Sequence, residues 1–274
     1  MSEILYEVDD PVATITLNRP ERLNAMTGSL FAAFREAIDS AATDESVVGI
    51  VVTGTGRGFS AGLDTDALAA IAETGQGETR PAPIGRKGLF SYLTEVPKPV
   101  IAAVNGVAAG GGYVLATMCD IRFGGPGARL TAVFSKRGLV SEHGVTWTTP
   151  RLVGLGRAFD LLWTSRMVDA EEAHRMGLLD FLVDDPVAEA QEYIRDLART
   201  VSPTAMADTK RMLWDHAGRD VDDSLDDVFE VVQSQFQRPD VAEGVRSFLE
   251  KRPPEFPRLG SEGAAEPHPG PARG

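Results

Sequence analysis

Apolar positions along this chain fall into two regimes. Up to about residue 131 they come in short blocks broken by glycine, proline and acidic residues, and from residue 145 onward they recur at helical spacing. The first regime predicts strands over 4–8 and 12–18, joined at Asp9-Asp10-Pro11 and stopped at Asn18-Arg19-Pro20. Thr27 is placed to cap a helix over 28–42, with Leu30, Phe31, Phe34, Ala37, Ile38 and Ala41 on one face. The continuous apolar runs at 47–53 and 99–104 predict buried strands. Strand and helix signals alternate, which predicts a mostly parallel sheet. A glycine-rich loop over 54–64 leads into a helix over 64–72, and a Gly, Pro and charge-rich loop over 74–88 is placed to shape a substrate pocket. A short helix over 89–95 follows, then a helix at 113–118, strands at 120–123 and 128–131, and a loop over 134–144 carrying Glu142 and His143. The second regime predicts helices over 145–153, 157–164, 170–176, 187–200, 204–216, 221–235 and 239–251, with one more strand at 179–183. The expected organisation is an α/β core over 1–198, a helical region over 199–256 and a disordered tail over 257–274.

Two strand-to-helix junctions are rich in glycine: Ala61-Gly62-Leu63-Asp64 and Gly110-Gly111-Gly112. Glycine bares the backbone N–H, because no Cβ blocks approach to it. The first turn of a helix adds unpaired donors and the positive end of a dipole. Such junctions suit a developing negative charge. They also suit close packing of a strand on a helix, and the glycines by themselves leave both readings open. If the two strands are neighbours in one sheet, the junctions could aim two donors at one point. That is an oxyanion hole, in which a single donor is worth about 3 kcal/mol of barrier. Glu142 is the carboxylate that could stand beside the reacting carbons.

Composition narrows the partners. The net charge is −13 and no long basic run occurs, which argues against nucleic acid or an anionic membrane as a partner. The single cysteine, Cys119, permits no internal disulfide and fits a reducing cytoplasm. The N-terminus has neither a basic nor an apolar segment of a signal peptide, and no apolar run is long enough to span a bilayer. The expected location is the cytoplasm. Gly58-Phe59-Ser60-Ala61-Gly62 matches the G-x-S-x-G pattern of hydrolases, but Thr53 to Gly58 separates Ser60 from the preceding strand. A serine hydrolase using Ser60 stands as a distant alternative. Neither dinucleotide nor P-loop glycine spacing is met, and the four histidines lack ligand spacing, so no metal site or bound cofactor is expected.

Several stretches together resemble the crotonase, or enoyl-CoA hydratase/isomerase, superfamily. They include Ile15-Thr16-Leu17-Asn18-Arg19-Pro20-Glu21-Arg22-Leu23-Asn24-Ala25-Met26, Gly58 to Asp64, Pro97 to Gly106, Gly110-Gly111-Gly112 through Cys119-Asp120, Arg151-Leu152-Val153-Gly154 and Phe248-Leu249-Glu250-Lys251-Arg252. The resemblance implies a spiral of ββα units with a helical C-terminal trimerisation region, and a homotrimer or dimer of trimers. It implies an acyl-CoA thioester as substrate, with coenzyme A as part of that substrate. The backbone N–H groups of Leu63 and Gly111 would form the oxyanion hole. Arg22, Leu23, Ala61, Asp64, Gly110 and Lys251 would contact the substrate or its coenzyme A.

The chain departs from the family at the acid/base positions. A hydratase of this family carries one glutamate two positions past the triple glycine and another twenty residues later; here those positions hold Val114 and Phe134. Neither can activate a water or deliver a proton. Glu142 falls where some relatives place a catalytic aspartate. One carboxylate suits double-bond isomerisation better than hydration. Val114, Phe134 and Trp147 would give Glu142 apolar neighbours, and the adjacent His143 would position it or donate a hydrogen bond. The expected activity is isomerisation, or an atypical hydration, of an acyl-CoA thioester. The alternative is an acyl-CoA-binding protein without catalysis.

Overall fold

The computed structural model describes residues 2–74 and 88–271. Among these residues are ten strands: β1 (Ile4–Asp9), β2 (Val12–Leu17), β3 (Gly49–Gly54), β4 (Gly58–Ser60), β5 (Val100–Val104), β6 (Val107–Ala109), β7 (Ile121–Gly124), β8 (Arg129–Thr131), β9 (Val168–Asp169) and β10 (Phe181–Leu182). Its α-helices are α1 (Gly28–Thr43), α2 (Thr65–Thr74), α3 (Gly111–Met118), α4 (Val145–Val153), α5 (Leu155–Thr164), α6 (Ala170–Met176), α7 (Pro186–Thr200), α8 (Pro203–His216), α9 (Val221–Gln235) and α10 (Pro239–Glu250). The expected loop over 74–88 lies almost wholly outside the described residues.

Six strands form one sheet in the order β1-β2-β3-β5-β7-β10, and four form a second in the order β4-β6-β8-β9. The large sheet is parallel except for the β1–β2 pair. The chain alternates between the sheets. β3 in the large sheet is followed by β4 in the small one, β5 by β6, and β7 by β8, with α2 and α3 closing the first two of these turns. This is the expected spiral of ββα units.

The apolar runs are continuous because both faces of the central strands are covered. On one face Ile50, Val52, Val100, Ala102 and Val104 join the main core with Phe34 and Ile38 of α1 and Val114 and Leu115 of α3. On the other, Val51, Ile101 and Ala103 pack under Ala190 and Ile194 of α7. Thr27 caps α1 as expected, its hydroxyl accepting from Leu30 N at 3.1 Å.

Strand β4 lies within the stretch expected as a glycine-rich loop, and β6 in a stretch for which no element was expected. Each is three residues long, too short to show alternation; β4 begins on Gly58, and Gly106 and Gly110 flank β6. The C-terminal helices are tied by buried charge: Arg211 Nη1 lies 2.8 Å from Asp227 and Arg238 Nη1 lies 2.6 Å from Asp208. The segment expected as a disordered tail lies against α8. Thr204 donates to the Ala265 carbonyl at 3.3 Å and Asp208 accepts from His268 N at 2.6 Å. Arg258, at the head of that segment, reaches Asp10 and the Ser46 carbonyl. Polar groups on α8 and near β3 supply anchors that its composition does not reveal.

Candidate active site

The two glycine junctions come together because β4 and β6 are parallel neighbours. Gly62 holds a positive φ of 89°, and a Cβ there would stand 2.6 Å from the Ala109 carbonyl oxygen and 2.8 Å from Gly111 N. A Cβ on Gly112 would lie 2.2 Å from the Ser60 carbonyl oxygen. The glycines let two backbones touch, which sets the Gly62–Leu63 segment against Gly111.

Leu63 forms a parallel bridge with Met26. The residues flanking Leu63 supply its bonds: Met26 N donates to the Gly62 carbonyl at 2.7 Å, and Asp64 N donates to the Met26 carbonyl at 3.0 Å. The Leu63 N–H thus projects away from Met26. Gly111 opens α3, so its N–H has no acceptor inside the helix. Among the described residues neither amide donates to a protein acceptor. Gly110 differs, because its N–H bonds to the Thr131 carbonyl at 3.1 Å and so contributes through shape.

The supporting loop is held tightly. Asn24 is fully buried, accepts from Arg19 N at 2.8 Å and donates to the carbonyls of Thr55 and Gly58 at 3.0 and 2.7 Å. Ser60 donates its hydroxyl to the Asn24 carbonyl at 2.8 Å and accepts from Gly62 N at 3.2 Å. It is fully buried with no histidine bonded to it. The hydrolase alternative fails on this geometry: Ser60 is a loop staple, and its hydroxyl is engaged on both sides.

The remaining expected site residues fall at different distances from this centre. Ala61 N donates to the Leu23 carbonyl at 2.9 Å, which places Ala61 and Leu23 beside one another. Arg22 is exposed in the same turn. Asp64 is buried, and its carboxylate is bound within the chain by Arg19 Nη1 at 2.9 Å and Asp66 N at 3.1 Å. The hydrogen bond from Arg19, then that from Asp66 N, hold its pKa below the ordinary carboxylate value. Lys251 is an exposed residue at the C-terminal cap of α10, and within one chain no hydrogen bond joins it to the glycine junctions.

Glu142 lies on the loop between β8 and α4. That loop leaves beside the triple glycine, where Val133, in the left-handed region at φ 53°, sets its Cγ2 3.4 Å from the Cβ position of Gly110. It returns onto α3, where a Cβ on Gly144 would meet Met118 Cε at 2.6 Å. The bond between Tyr113 of α3 and Thr149 of α4, 3.0 Å long, fixes the two helices on either side. The loop thus bridges α3, with Glu142 near its far end. The Glu142 side chain is 44% exposed and lies 3.5 Å from His143 Nε2.

With that exposure Glu142 is not enclosed as its expected apolar neighbours would have it. Val114 and Phe134 are buried in the main core. Trp147 turns instead to stack on Trp214 of α8, with ring centroids 5.6 Å apart, and Arg151 covers it at 3.9 Å. Sequence reasoning missed Arg19 and Met26 as parts of the frame. Both lie in the stretch quoted for the resemblance, and the chain break at Arg19-Pro20 was the available signal.

A cleft of about 720 Å³ lies at the other end of α3, lined by residues such as Cys119, Trp147, Leu152, Leu197 and Trp214. It does not include Leu63, Gly111 or Glu142. Its central charges are paired: Lys210 with Asp120 at 2.7 Å and Arg122 with Asp180 at 2.6 Å. Burial pushes the Cys119 thiol up to about 12, so it is no nucleophile there. This cleft is apolar and its charges are satisfied, whereas the glycine junctions carry backbone donors that no described residue accepts.

Comparison with known proteins identifies the family. The family model for enoyl-CoA hydratase/isomerase matches residues 7–258. The chain is 36% identical over 271 residues to the 1,2-epoxyphenylacetyl-CoA isomerase of Escherichia coli K12, covering 93% of this chain and 98% of the relative. Crystal structures of enoyl-CoA hydratases from Bacillus anthracis and Polaromonas superpose with TM-scores of 0.82 each, at 26% and 27% identity. They cover 93% and 92% of this chain, and 99% of each structure is matched. With fold, glycine junctions and relatives in agreement, this chain belongs to the enoyl-CoA hydratase/isomerase family, the crotonases.

Proposed function

We propose that this protein is an isomerase of enoyl-CoA thioesters in which Leu63 and Gly111 bind the thioester oxygen and Glu142 moves the proton. The observation that carries the reading is the pair of backbone donors at Leu63 and Gly111 that have no protein acceptor among the described residues. Removing a proton beside the thioester places negative charge on the carbonyl oxygen, where those donors are worth most. Glu142 takes that proton and returns it at another carbon, so the double bond moves and no water is consumed. Val114 and Phe134 at the usual hydratase positions support isomerisation over hydration.

Coenzyme A is held along the turn of Arg22, Leu23 and Ala61. Lys251 reaches it from a neighbouring subunit of a homotrimer, or of a dimer of trimers. Apolar side chains left exposed on the C-terminal helices support that assembly: Phe229, Phe236, Leu249 and Phe248, the last of them 81% exposed. A closed trimer would cover such surface.

The test is a panel of saturated, 2-enoyl- and 3-enoyl-CoA thioesters offered to wild type and Glu142→Gln. Interconversion of the 3-enoyl and 2-enoyl forms by wild type, lost in Glu142→Gln, is the expected result. Tight binding with no turnover of any member would identify a binding protein instead. Isomerisation undiminished in Glu142→Gln would remove that residue from the mechanism.

A further inference from the structure

The Leu63 amide is held by more than its bridge to Met26. Arg19 Nη1 donates both to Asp64 Oδ2 at 2.9 Å and to the Ala25 carbonyl at 2.6 Å. One guanidinium therefore grips the residue after Leu63 and the residue before Met26. Those are the two sides of the bridge that aims the Leu63 N–H. The arginine is itself fixed. Its Nε lies 3.2 Å from Glu3 Oε1, and its backbone N–H donates to Asn24 Oδ1 at 2.8 Å. Asp64 uses its second oxygen to accept Asp66 N at the start of α2. Side-chain exposure is 17% for Arg19 and 9% for Asp64, so water screens the pair weakly.

We propose that the Arg19–Asp64 ion pair is a positioning element of the oxyanion hole, setting the direction of the Leu63 N–H. It touches no substrate atom in this account. Asp64 thereby takes a role different from the coenzyme A contact expected from the family resemblance. The proposal rests on the reading of Leu63 and Gly111 as the oxyanion donors. Two rigid links bracket one peptide, so loosening either lets that peptide rotate. Misplacement of about 1 Å in such a site costs on the order of a hundredfold in rate.

The experiment compares wild type with Arg19→Lys, Arg19→Met, Asp64→Asn and Asp64→Ala. It follows kcat and KM for a 3-enoyl-CoA, and the carbonyl stretch of a bound 2-enoyl-CoA by difference infrared spectroscopy. In wild type the stretch should move to lower frequency on binding, because two donors polarise the carbonyl. In Arg19→Met and Asp64→Ala that displacement should shrink and kcat should fall about tenfold to a hundredfold, with KM changed by less than about threefold. Arg19→Lys and Asp64→Asn keep one donor or acceptor and should fall between. These milder variants carry the test if the harsher ones do not fold. A wild-type displacement retained in folded variants, with kcat intact, would overturn the proposal and leave the oxyanion reading standing. No displacement in wild type itself would overturn both.

Discussion

The two halves of the proposed site are built in opposite ways. The donor half sits half-buried on a buried, over-determined frame. Leu63 and Gly111 sit on touching backbones, braced by Asn24, Ser60, Met26 and the Arg19–Asp64 pair. The acid/base half is one exposed glutamate on a loop, beside an exposed histidine. The difference follows from what each half must do. A hydrogen-bond donor stabilises a developing charge only if its direction is fixed before the charge appears. A base must reach two carbons in turn, and a loop residue can do so. Variation in chemistry on a shared scaffold is therefore easier in the second half than in the first.

This contrast makes activity and stability separable, and the largest effect should show it. Glu142→Gln should reduce isomerisation by about a hundredfold or more, the usual range for losing a general base. Its side chain is exposed and makes no buried contact, so unfolding free energy should stay within about 0.5 kcal/mol of wild type. Steady-state rates and a urea titration on the same preparation check both. A stability loss as large as that of a core variant would show that the loop belongs to the frame.

Gly112→Ala strikes the donor half and should lower both quantities together. Its methyl would have to displace the Ser60 carbonyl, 2.2 Å away, and with it the Gly62–Leu63 peptide. Overpacking of this kind costs roughly 1–3 kcal/mol. Turnover should fall by on the order of tenfold to a hundredfold, since the hole is misplaced rather than removed. If turnover survived at wild-type rate, the contact between the two junctions would not set the geometry of the site.

How much of this was legible in the sequence follows the same division. The large-sheet strands show in their apolar runs because both faces are buried, and helices such as α4, α6 and α9 show in their spacing. The two glycine clusters mark the donor half. What they do not mark is which amide is left free. That depends on Met26 pairing with Leu63 from a distant part of the chain. Glu142 stood out as a candidate carboxylate, but its match to a catalytic position came only from the family resemblance, because a lone loop carboxylate carries no periodicity. The surroundings expected for it were misjudged at Trp147, whose ring finds Trp214 on α8. Contacts between distant helices leave no trace in local patterning.

Ser60→Ala separates staple from nucleophile. The hydroxyl links the Asn24 carbonyl to Gly62 N, so its loss leaves a buried acceptor and donor unpaired. That should cost about 1–3 kcal/mol in unfolding free energy. Turnover should drop less than in Gly112→Ala, and any trace of thioester hydrolysis should persist unchanged. Denaturation curves and a free-thiol assay for released coenzyme A read the two effects.

The smallest effect concerns acid stability and tests the frame through its charge. Arg19 lowers the Asp64 pKa from its ordinary 3.8, so the folded protein holds this carboxylate ionised where the unfolded chain protonates it. The unfolded state then binds more protons in that window, and stability falls as pH falls. The contribution is fully present above about pH 4 and is lost as pH drops through the folded value. Asp64→Asn removes the titrating group, so its unfolding free energy should decline less steeply below pH 4 than that of wild type. Urea titrations at half-unit steps between pH 5 and pH 3, on the two proteins side by side, give the comparison. Equal slopes for wild type and Asp64→Asn would mean that the ion pair is no stronger in the folded state than its exposed counterparts, and the rigid half of the site would have to be held by its backbone bonds alone.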